Sequence, residues 1–319
     1  MLIDLALQNL ASPAVLFFLL GAAAALARSD LAVPDQIARM LSLYLMMSIG
    51  FRGGIEIAHH GIDARLIAAL AAGAVLSFLM PLAAAPALRG LTRLGPIDRA
   101  AIAGHYGSIS AVTFAAATGA VALLGVPYEG FMVAVAAAME TPAIVACLVL
   151  AGRRPASGGG SIMREVLLNG SVVTLLGALL IGAVANVKAA APVKLFLVDL
   201  FPGFLCLFLL EMGLVAGRGL RDARHLLSPG LLVFAIGFPL AGAAVAAVVS
   251  LGIGLTPGGT AVFMTLAGSA SYIAVPAALR LALPEARLAL PLTMSLGITF
   301  PFNLIVGIPL YIAIARSLG

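Results

Sequence analysis

Apolar residues run through this chain in long blocks, broken at intervals by Gly, Pro and a few charges. They show neither the alternation of a half-buried strand nor the polar faces of a soluble helix. A helix that crosses about 30 Å of hydrocarbon needs roughly 17 to 25 mainly apolar residues, and its backbone groups must be satisfied internally. Ten blocks fit that description: residues 12–27, 34–51, 65–88, 98–123, 127–151, 165–187, 193–216, 229–251, 258–281 and 287–315. The expected fold is all-α, a polytopic membrane protein. The first block has no basic flank before it and no small-residue cleavage site after it, so it reads as a retained span and not a signal peptide.

One polar, flexible stretch interrupts the series, Arg153-Arg154-Pro155-Ala156-Ser157-Gly158-Gly159-Gly160-Ser161. It predicts a first five-helix repeat over 1–152, a cytoplasmic linker over 153–163 and a second five-helix repeat over 164–319. The halves resemble each other. LMMSIGFRGG from Leu45 to Gly54 lies over FLLEMGLVAG from Phe208 to Gly217, with Gly50 over Gly213. Gly107-Ser108-Ile109-Ser110 in the fourth span corresponds to Gly268-Ser269-Ala270-Ser271 in the ninth, and Pro142 to Pro301. Five spans per half force opposite polarity on the second, giving the inverted repeat from which many secondary transporters are built.

Composition narrows the class. The chain is 62% apolar and 10% charged, with mean hydropathy +1.16, which leaves no room for a soluble catalytic domain. Eighteen basic against 13 acidic residues give +5, yet the basic residues are scattered singly in loops and form no nucleic-acid groove. They sort by side instead. With the N-terminus outside, the inner loops hold Arg28, Arg39, Arg89, Arg93, Arg99, Arg153, Arg154, Arg164, Arg218, Arg221, Arg224, Arg280 and Arg287; the outer side holds Arg52, Arg65, Lys188, Lys194 and Arg316. The positive-inside rule then places both termini outside the cytoplasm. Cys147 and Cys206 fall inside apolar runs as small core residues, with no disulfide or metal framework.

The chemistry concentrates where helices should break. His105-Tyr106-Gly107-Ser108-Ile109-Ser110-Ala111-Val112-Thr113 and Gly268-Ser269-Ala270-Ser271-Tyr272-Ile273-Ala274-Val275-Pro276 each sit mid-span. Glycine loosens the helix, Pro276 removes a donor, and the serines bond freed backbone or a ligand. Two interrupted helices crossing at their breaks bring four half-helix ends together. Their N-terminal N–H groups suit an anion and their C-terminal carbonyls a cation such as sodium. No Lys or Arg lies in either cluster, which favours a small, singly charged, hydrogen-bonding anion. The structural alternative is close helix packing through Gly and Ser.

Glu140 lies in Ala137-Ala138-Met139-Glu140-Thr141-Pro142, deep in an apolar run, where a carboxylate costs on the order of 2.5 kcal/mol or more and normally faces a polar cavity. It is expected to bind sodium or a proton, with Thr141 adding a hydroxyl; the alternative is a protonated structural carboxyl. Glu211 pairs with Arg218 or serves as a ligand. His105 is a packing or proton-carrying histidine. His59-His60 belongs to an outer loop. Asn303 either satisfies backbone freed by Pro301 or lines the cavity.

These residues, in this order and spacing, resemble the sodium-dependent bicarbonate transporter family found in cyanobacteria and many other bacteria. The resemblance is carried by Ile49-Gly50-Phe51-Arg52-Gly53-Gly54, the first break through Ala117, Glu140-Thr141-Pro142-Ala143, Met212-Gly213, Ser269 to Pro276, Leu279-Arg280 with Pro284, and Ile308-Pro309-Leu310. It implies five plus five inverted spans with two crossed discontinuous helices, a core and a gate domain, a homotrimer, sodium-coupled bicarbonate uptake across the bacterial inner membrane, and in some members a cytoplasmic PII-like regulator. By matching positions it implies that Gly107, Ser110, Thr113, Ser269 and Ser271 contribute to substrate and sodium binding. Together with the readings of the breaks and of Glu140 above, the expected substrate set is Gly107, Ser108, Ser110, Thr113, Gly268, Ser269 and Ser271, and the expected sodium set Ser110, Glu140, Thr141, Ser269 and Ser271. Glu140 stands where the family commonly has an aspartate. Two positions depart from the pattern: Tyr272 replaces the aspartate after the second-break serines, which weakens a cation site, and Ala274 replaces the following serine. The linker is short beside cyanobacterial relatives. No cofactor other than the coupling sodium ion is expected, and no paired acids or Ser–Lys dyad point to an enzyme. The rival readings are a bile-acid-symporter-like carrier of another organic anion and a non-transporting membrane sensor.

Overall fold

The structure, a computed structural model, describes residues 11–61, 63–152, 170–185, 192–223 and 227–318. The predicted linker over 153–163, with Arg164, Lys188 and Arg224, lies outside the described residues. All regular structure among the described residues is helical: α1 Pro13–Leu26, α2 Asp35–His60, α3 Ala64–Leu91, α4 Pro96–Gly107, α5 Ala111–Leu123, α6 Met132–Ala138, α7 Glu140–Leu150, α8 Gly170–Val184, α9 Phe201–Ala223, α10 Pro229–Ile253, α11 Pro257–Ala267, α12 Ala274–Ala282, α13 Ala289–Met294, α14 Phe300–Phe302 and α15 Ile308–Leu318. A π turn precedes α9 at Leu195–Asp199, and two more, Ser295–Thr299 and Asn303–Gly307, join α13 to α15 into one rod.

Local signals set the helix ends. Pro occupies the first turn of α1, α4, α10 and α11, where its missing N–H would be unpaired anyway. Ser12, Asp63, Ser228 and Thr256 cap their helices by accepting the N–H three residues on.

Six helical stretches among the described residues are long and apolar enough to cross a membrane: Ala64–Leu91, Pro96–Leu123, Met132–Leu150, Pro192–Asp222, Pro229–Ile253 and Ala289–Leu318. They mark the chain as a polytopic membrane protein. The remaining predicted spans do not reach that length and apolarity among the described residues. α1 has 14 residues, about 21 Å at 1.5 Å per residue. α2 has the length, 26 residues, but carries Arg39, Arg52 and Glu56. α8 begins where the described residues resume, and α11 and α12 are separate short helices.

The helices sort into two groups. α1 lies along α9, α2 along α8, and α2 also meets α9. These contacts are backbone on backbone: a Cβ on Gly54 would stand 2.0 Å from the Leu179 carbonyl oxygen, and one on Gly213 would stand 2.1 Å from that of Phe18. Small residues permit such approach where hydrocarbon offers no hydrophobic drive to association. The other helices form a larger bundle, with α3 against α4 and α7, and α10 against α11 and α3. Pro81 interrupts α3 and Pro239 interrupts α10.

Gly54→Ala should lower the apparent melting temperature of the detergent-solubilised protein by several degrees, since overpacking costs ~1–3 kcal/mol. Gly177→Ala, with nothing within 4 Å of its added carbon, should leave it unchanged. Equal melting curves for the two variants would contradict the packing.

Candidate functional site

The fourth predicted span is interrupted between Gly107 and Ala111, and the ninth between Ala267 and Ala274. At the first break Ser110 caps α5: its Oγ accepts the Thr113 N–H at 3.1 Å and its carbonyl that of Phe114 at 2.9 Å. The N–H groups of Ala111 and Val112 have no partner among the described residues and stand as donors at the head of α5. At the second break Ser271 Oγ accepts the Val275 N–H at 3.4 Å near the head of α12.

The breaks are bonded to each other. Ser110 N–H donates to Ser269 Oγ at 2.9 Å, and Ser271 N–H donates to the His105 carbonyl at 2.7 Å. Ser269 Oγ passes its own proton to the Leu266 carbonyl at 2.8 Å. Proline and glycine fit the surrounding helices to this crossing. A Cβ on Gly107 would stand 2.2 Å from Pro81 Cγ, and one on Gly268 would stand 3.0 Å from the Pro239 carbonyl oxygen. The carbonyl that Pro239 leaves without an i+4 donor, Ala235, accepts from Thr299 Oγ1 at 2.8 Å. Thr299 Oγ1 in turn takes the Tyr106 hydroxyl at 2.6 Å. Asn303 binds neither Pro301's freed carbonyl nor the cavity. Its Nδ2 donates to the Gly268 carbonyl at 2.7 Å and its Oδ1 accepts from Tyr311 at 3.1 Å.

A third interruption is one the sequence reading did not anticipate. The fifth span parts at Met139 into α6 and α7, Ser77 Oγ donates to the Met139 carbonyl, and Glu140 becomes the first residue of α7. Its carboxylate is buried, at 6% exposure, beside a helix N-terminus that favours negative charge. Its one hydrogen-bond partner among the described residues is Ser108 Oγ, at a long 3.4 Å.

Glu140 lines a small cavity together with Ser110, Ala111, Ser271 and Tyr272 from the breaks, and Ser42 and Met46 from α2. Its volume, about 10 Å³, admits roughly one water-sized occupant. Of the residues expected at the substrate or sodium, Ser110, Ser271 and Glu140 therefore share a wall. Ser108 reaches it through Glu140, and Ser269 and Thr113 through Ser110. Gly107 and Gly268 serve as close-packing positions. Thr141 is half-buried and outside the wall. Ser42 and Met46 carried no sequence signal, since α2 meets the breaks only in three dimensions. Tyr272 was visible as a polar aromatic inside a break.

The other polar candidates lie elsewhere. Arg218 gives a guanidinium N–H to the Leu31 carbonyl at 2.9 Å, while Glu211 Oε2 is buried without a hydrogen-bond partner among the described residues. His105 Nδ1 donates to the Ala101 carbonyl at 2.8 Å, which leaves Nε2 as a buried, unpartnered acceptor. The side chains of His59 and His60 lie outside the described set. A wider cavity of about 520 Å³ opens between α2 and the loop after α5, lined by Arg52, Glu56, Tyr128 and Lys194 among others. There the Arg52 guanidinium sits over the Phe201 ring, 5.4 Å from its centre.

The chain belongs to the Na+-dependent bicarbonate transporter superfamily, whose family model matches residues 13–316. The resemblance read from the break residues thus holds over nearly the whole chain. No curated protein matches the sequence.

Ser269→Ala removes the oxygen that receives the Ser110 N–H and leaves a buried donor unpaired, a loss of about 1–3 kcal/mol. The variant should melt several degrees below the parent. Ser317→Ala, on an exposed helix end, is the control and should melt with it.

Proposed function

We propose that this protein is a secondary transporter importing bicarbonate across the bacterial inner membrane, with sodium as the coupling ion. Family membership supports the substrate pair. The observation that carries the reading is one shared wall holding open N–H donors at Ala111, the Ser110 and Ser271 hydroxyls, and the Glu140 carboxylate. On this reading the anion lies against the heads of α5 and α12, where N–H groups and helix dipoles present partial positive charge. Sodium lies between Glu140 and the hydroxyl and carbonyl oxygens at the tail of α4, a set of hard oxygen donors. Gly107, Thr113, Gly268 and Ser269 shape and stiffen this pair of sites, and Thr141 backs Glu140.

The cavity's size favours a small oxyanion over the bulky substrates of bile-acid-type carriers. It is too small even for bicarbonate as it stands, so substrate enters when the α2 wall, Ser42 and Met46, withdraws. The group of α1, α2, α8 and α9 is then the gate and the larger bundle the core, with the Arg52 and Lys194 cavity as the outer approach for anions.

Ten spans in a 5+5 inverted repeat, over 1–152 and 164–319 with a linker at 153–163, accord with the paired packing. α1 on α9 mirrors α2 on α8, and Gly107 on Pro81 mirrors Gly268 on Pro239. Homotrimer assembly and control by a PII-like partner rest on the family resemblance alone, and both termini outside rests on the loop charges.

Purified protein in liposomes should accumulate labelled bicarbonate when an inward sodium gradient is imposed. Glu140→Gln should cut that sodium-dependent uptake by about tenfold or more, the effect of losing on the order of 1.4 kcal/mol of ion binding. Bicarbonate flux indifferent to sodium in the parent would remove the coupling; saturable binding without flux would mark a sensor. Orientation is read separately. In a background lacking Cys147 and Cys206, an impermeant maleimide added to intact cells should label Ser317→Cys and spare Ser29→Cys.

A further inference from the structure

We propose that the Tyr272 hydroxyl is a specificity-determining donor for the transported anion, a role that the break serines and Glu140 do not fill. The inference rests on the transport reading above and adds to it a residue and a chemical preference.

Tyr272 is 9% exposed, and its hydroxyl is buried with no hydrogen bond of ordinary geometry among the described residues, Ser110 being the side chain that faces it. It belongs to the wall of the small cavity, beside Ser110. Ser110 Oγ already holds the Thr113 N–H, Ser110's carbonyl the Phe114 N–H, and Ser271 Oγ the Val275 N–H, which leaves each oxygen one further acceptor position. Burying a hydroxyl with no acceptor is costly, which makes the position informative. The ring is held by packing that does not involve its oxygen. It meets Phe300 edge to face at 5.9 Å and 68°, and Phe300 meets Phe18 at 5.3 Å and 77°. A fixed ring thus belongs to the same small wall as Ala111, whose N–H has no partner among the described residues.

Two donors from one wall form half of an anion site; the Glu140 carboxylate, held by Ser108 at a long 3.4 Å, forms the complementary half. An O–H and an N–H on one wall suit an acceptor with two oxygens on one plane, so the ligand class is a small monovalent planar oxyanion such as bicarbonate, formate or nitrite. On this proposal the Tyr272 hydroxyl, a donor when neutral, acts on the anion and governs its affinity, while sodium dependence measured at saturating anion stays with Glu140.

Tyr272→Phe keeps the ring and its contact with Phe300 and deletes only the donor. In liposomes the variant should show a bicarbonate KM raised about tenfold or more, with kcat and the half-saturating sodium concentration close to the parent's, because a hydrogen bond to a charged group has been lost. A raised or lowered kcat at unchanged KM would assign Tyr272 to the conformational step, and unchanged kinetics would make it structural; either overturns the inference. In detergent, five tyrosines and no tryptophan allow a tyrosine difference spectrum to be titrated with bicarbonate, formate and nitrite. A saturable shift in the parent that Tyr272→Phe abolishes is expected. Should the variant not fold, the parent's spectrum decides, and no saturable shift with any of the three overturns the proposal. A shift with formate or nitrite but none with bicarbonate upholds the Tyr272 role and sinks the bicarbonate reading. Parent uptake of bicarbonate with Tyr272→Phe unaltered does the reverse.

Discussion

Two hydrogen bonds between the helix breaks hold the rest of the centre in place: Ser110 N–H to Ser269 Oγ, and Ser271 N–H to the His105 carbonyl. A helix interrupted within hydrocarbon leaves donors and acceptors that no water can reach, each at a cost of several kcal/mol. Each break here answers part of the other's deficit. The bonds cross in opposite senses, one into a side chain and one into a main-chain carbonyl, so sliding either helix along its axis loses both. That constraint fixes which backbone groups remain unspent. Ala111 and Val112 N–H are left over because Ser110 has served Thr113 and Phe114 and faces Ser269 with its own N–H. The open donors of the candidate site are therefore a remainder of the crossing.

Around that crossing the larger bundle is tied by polar links, and each starts from a backbone defect. Pro239 frees the Ala235 carbonyl, which Thr299 takes while receiving Tyr106. The second break frees the Gly268 carbonyl, which Asn303 takes while receiving Tyr311. The bend at Met139 frees a carbonyl that Ser77 takes. Interhelical hydrogen bonds of this kind contribute around 1 kcal/mol each in membranes and are directional. The contacts of α1 with α9 and of α2 with α8 are mainly of another sort, glycine against backbone, with side-chain bonds towards one end of α9, where Arg221 gives a guanidinium N–H to the Ala25 carbonyl at 3.0 Å and Arg218 one to the Leu31 carbonyl at 2.9 Å. Directional bonds tie the bundle that carries the breaks, and close backbone packing joins the helices of the second group to one another.

Much of this was legible in the chain. Gly-Ser clusters in the middle of apolar runs marked both breaks, because a mid-span run of small polar residues conflicts with an uninterrupted helix in lipid. Glu140 stood out because an unpaired carboxylate in such a run demands a polar surface. The bend at Met139 did not stand out: Ala137-Ala138-Met139 has strong helix formers, and the cause is Pro142 further along together with Ser77 from another helix. Asn303 was read against its sequence neighbour Pro301, whereas its partner is 35 residues away at Gly268. The Ser42 and Met46 wall was invisible, since it depends on which face of α2 turns towards the breaks. The first apolar run gave its helix to within a residue, with Ser12 capping α1 and Ala27 ending it, and at 14 residues that helix is shorter than the hydrocarbon it was expected to cross.

The cavity's makeup bears on why an anion and a cation would travel together. On the proposed reading, its donors and its carboxylate are adjacent in a site with room for about one water. An anion alone would meet the Glu140 charge at close range, and a cation alone would neutralise Glu140 but leave the Ala111 and Tyr272 donors unanswered. With both present, each ion lowers the cost of the other. Two unit charges ~5 Å apart at an effective dielectric constant of ~20 attract by about 3 kcal/mol. That is enough to change either affinity by roughly two orders of magnitude, and linkage makes the effect reciprocal. Coupling of this strength needs no dedicated signalling route between the sites. On the proposed reading it follows from the Glu140 carboxylate and the donors of the crossed breaks lining one small space.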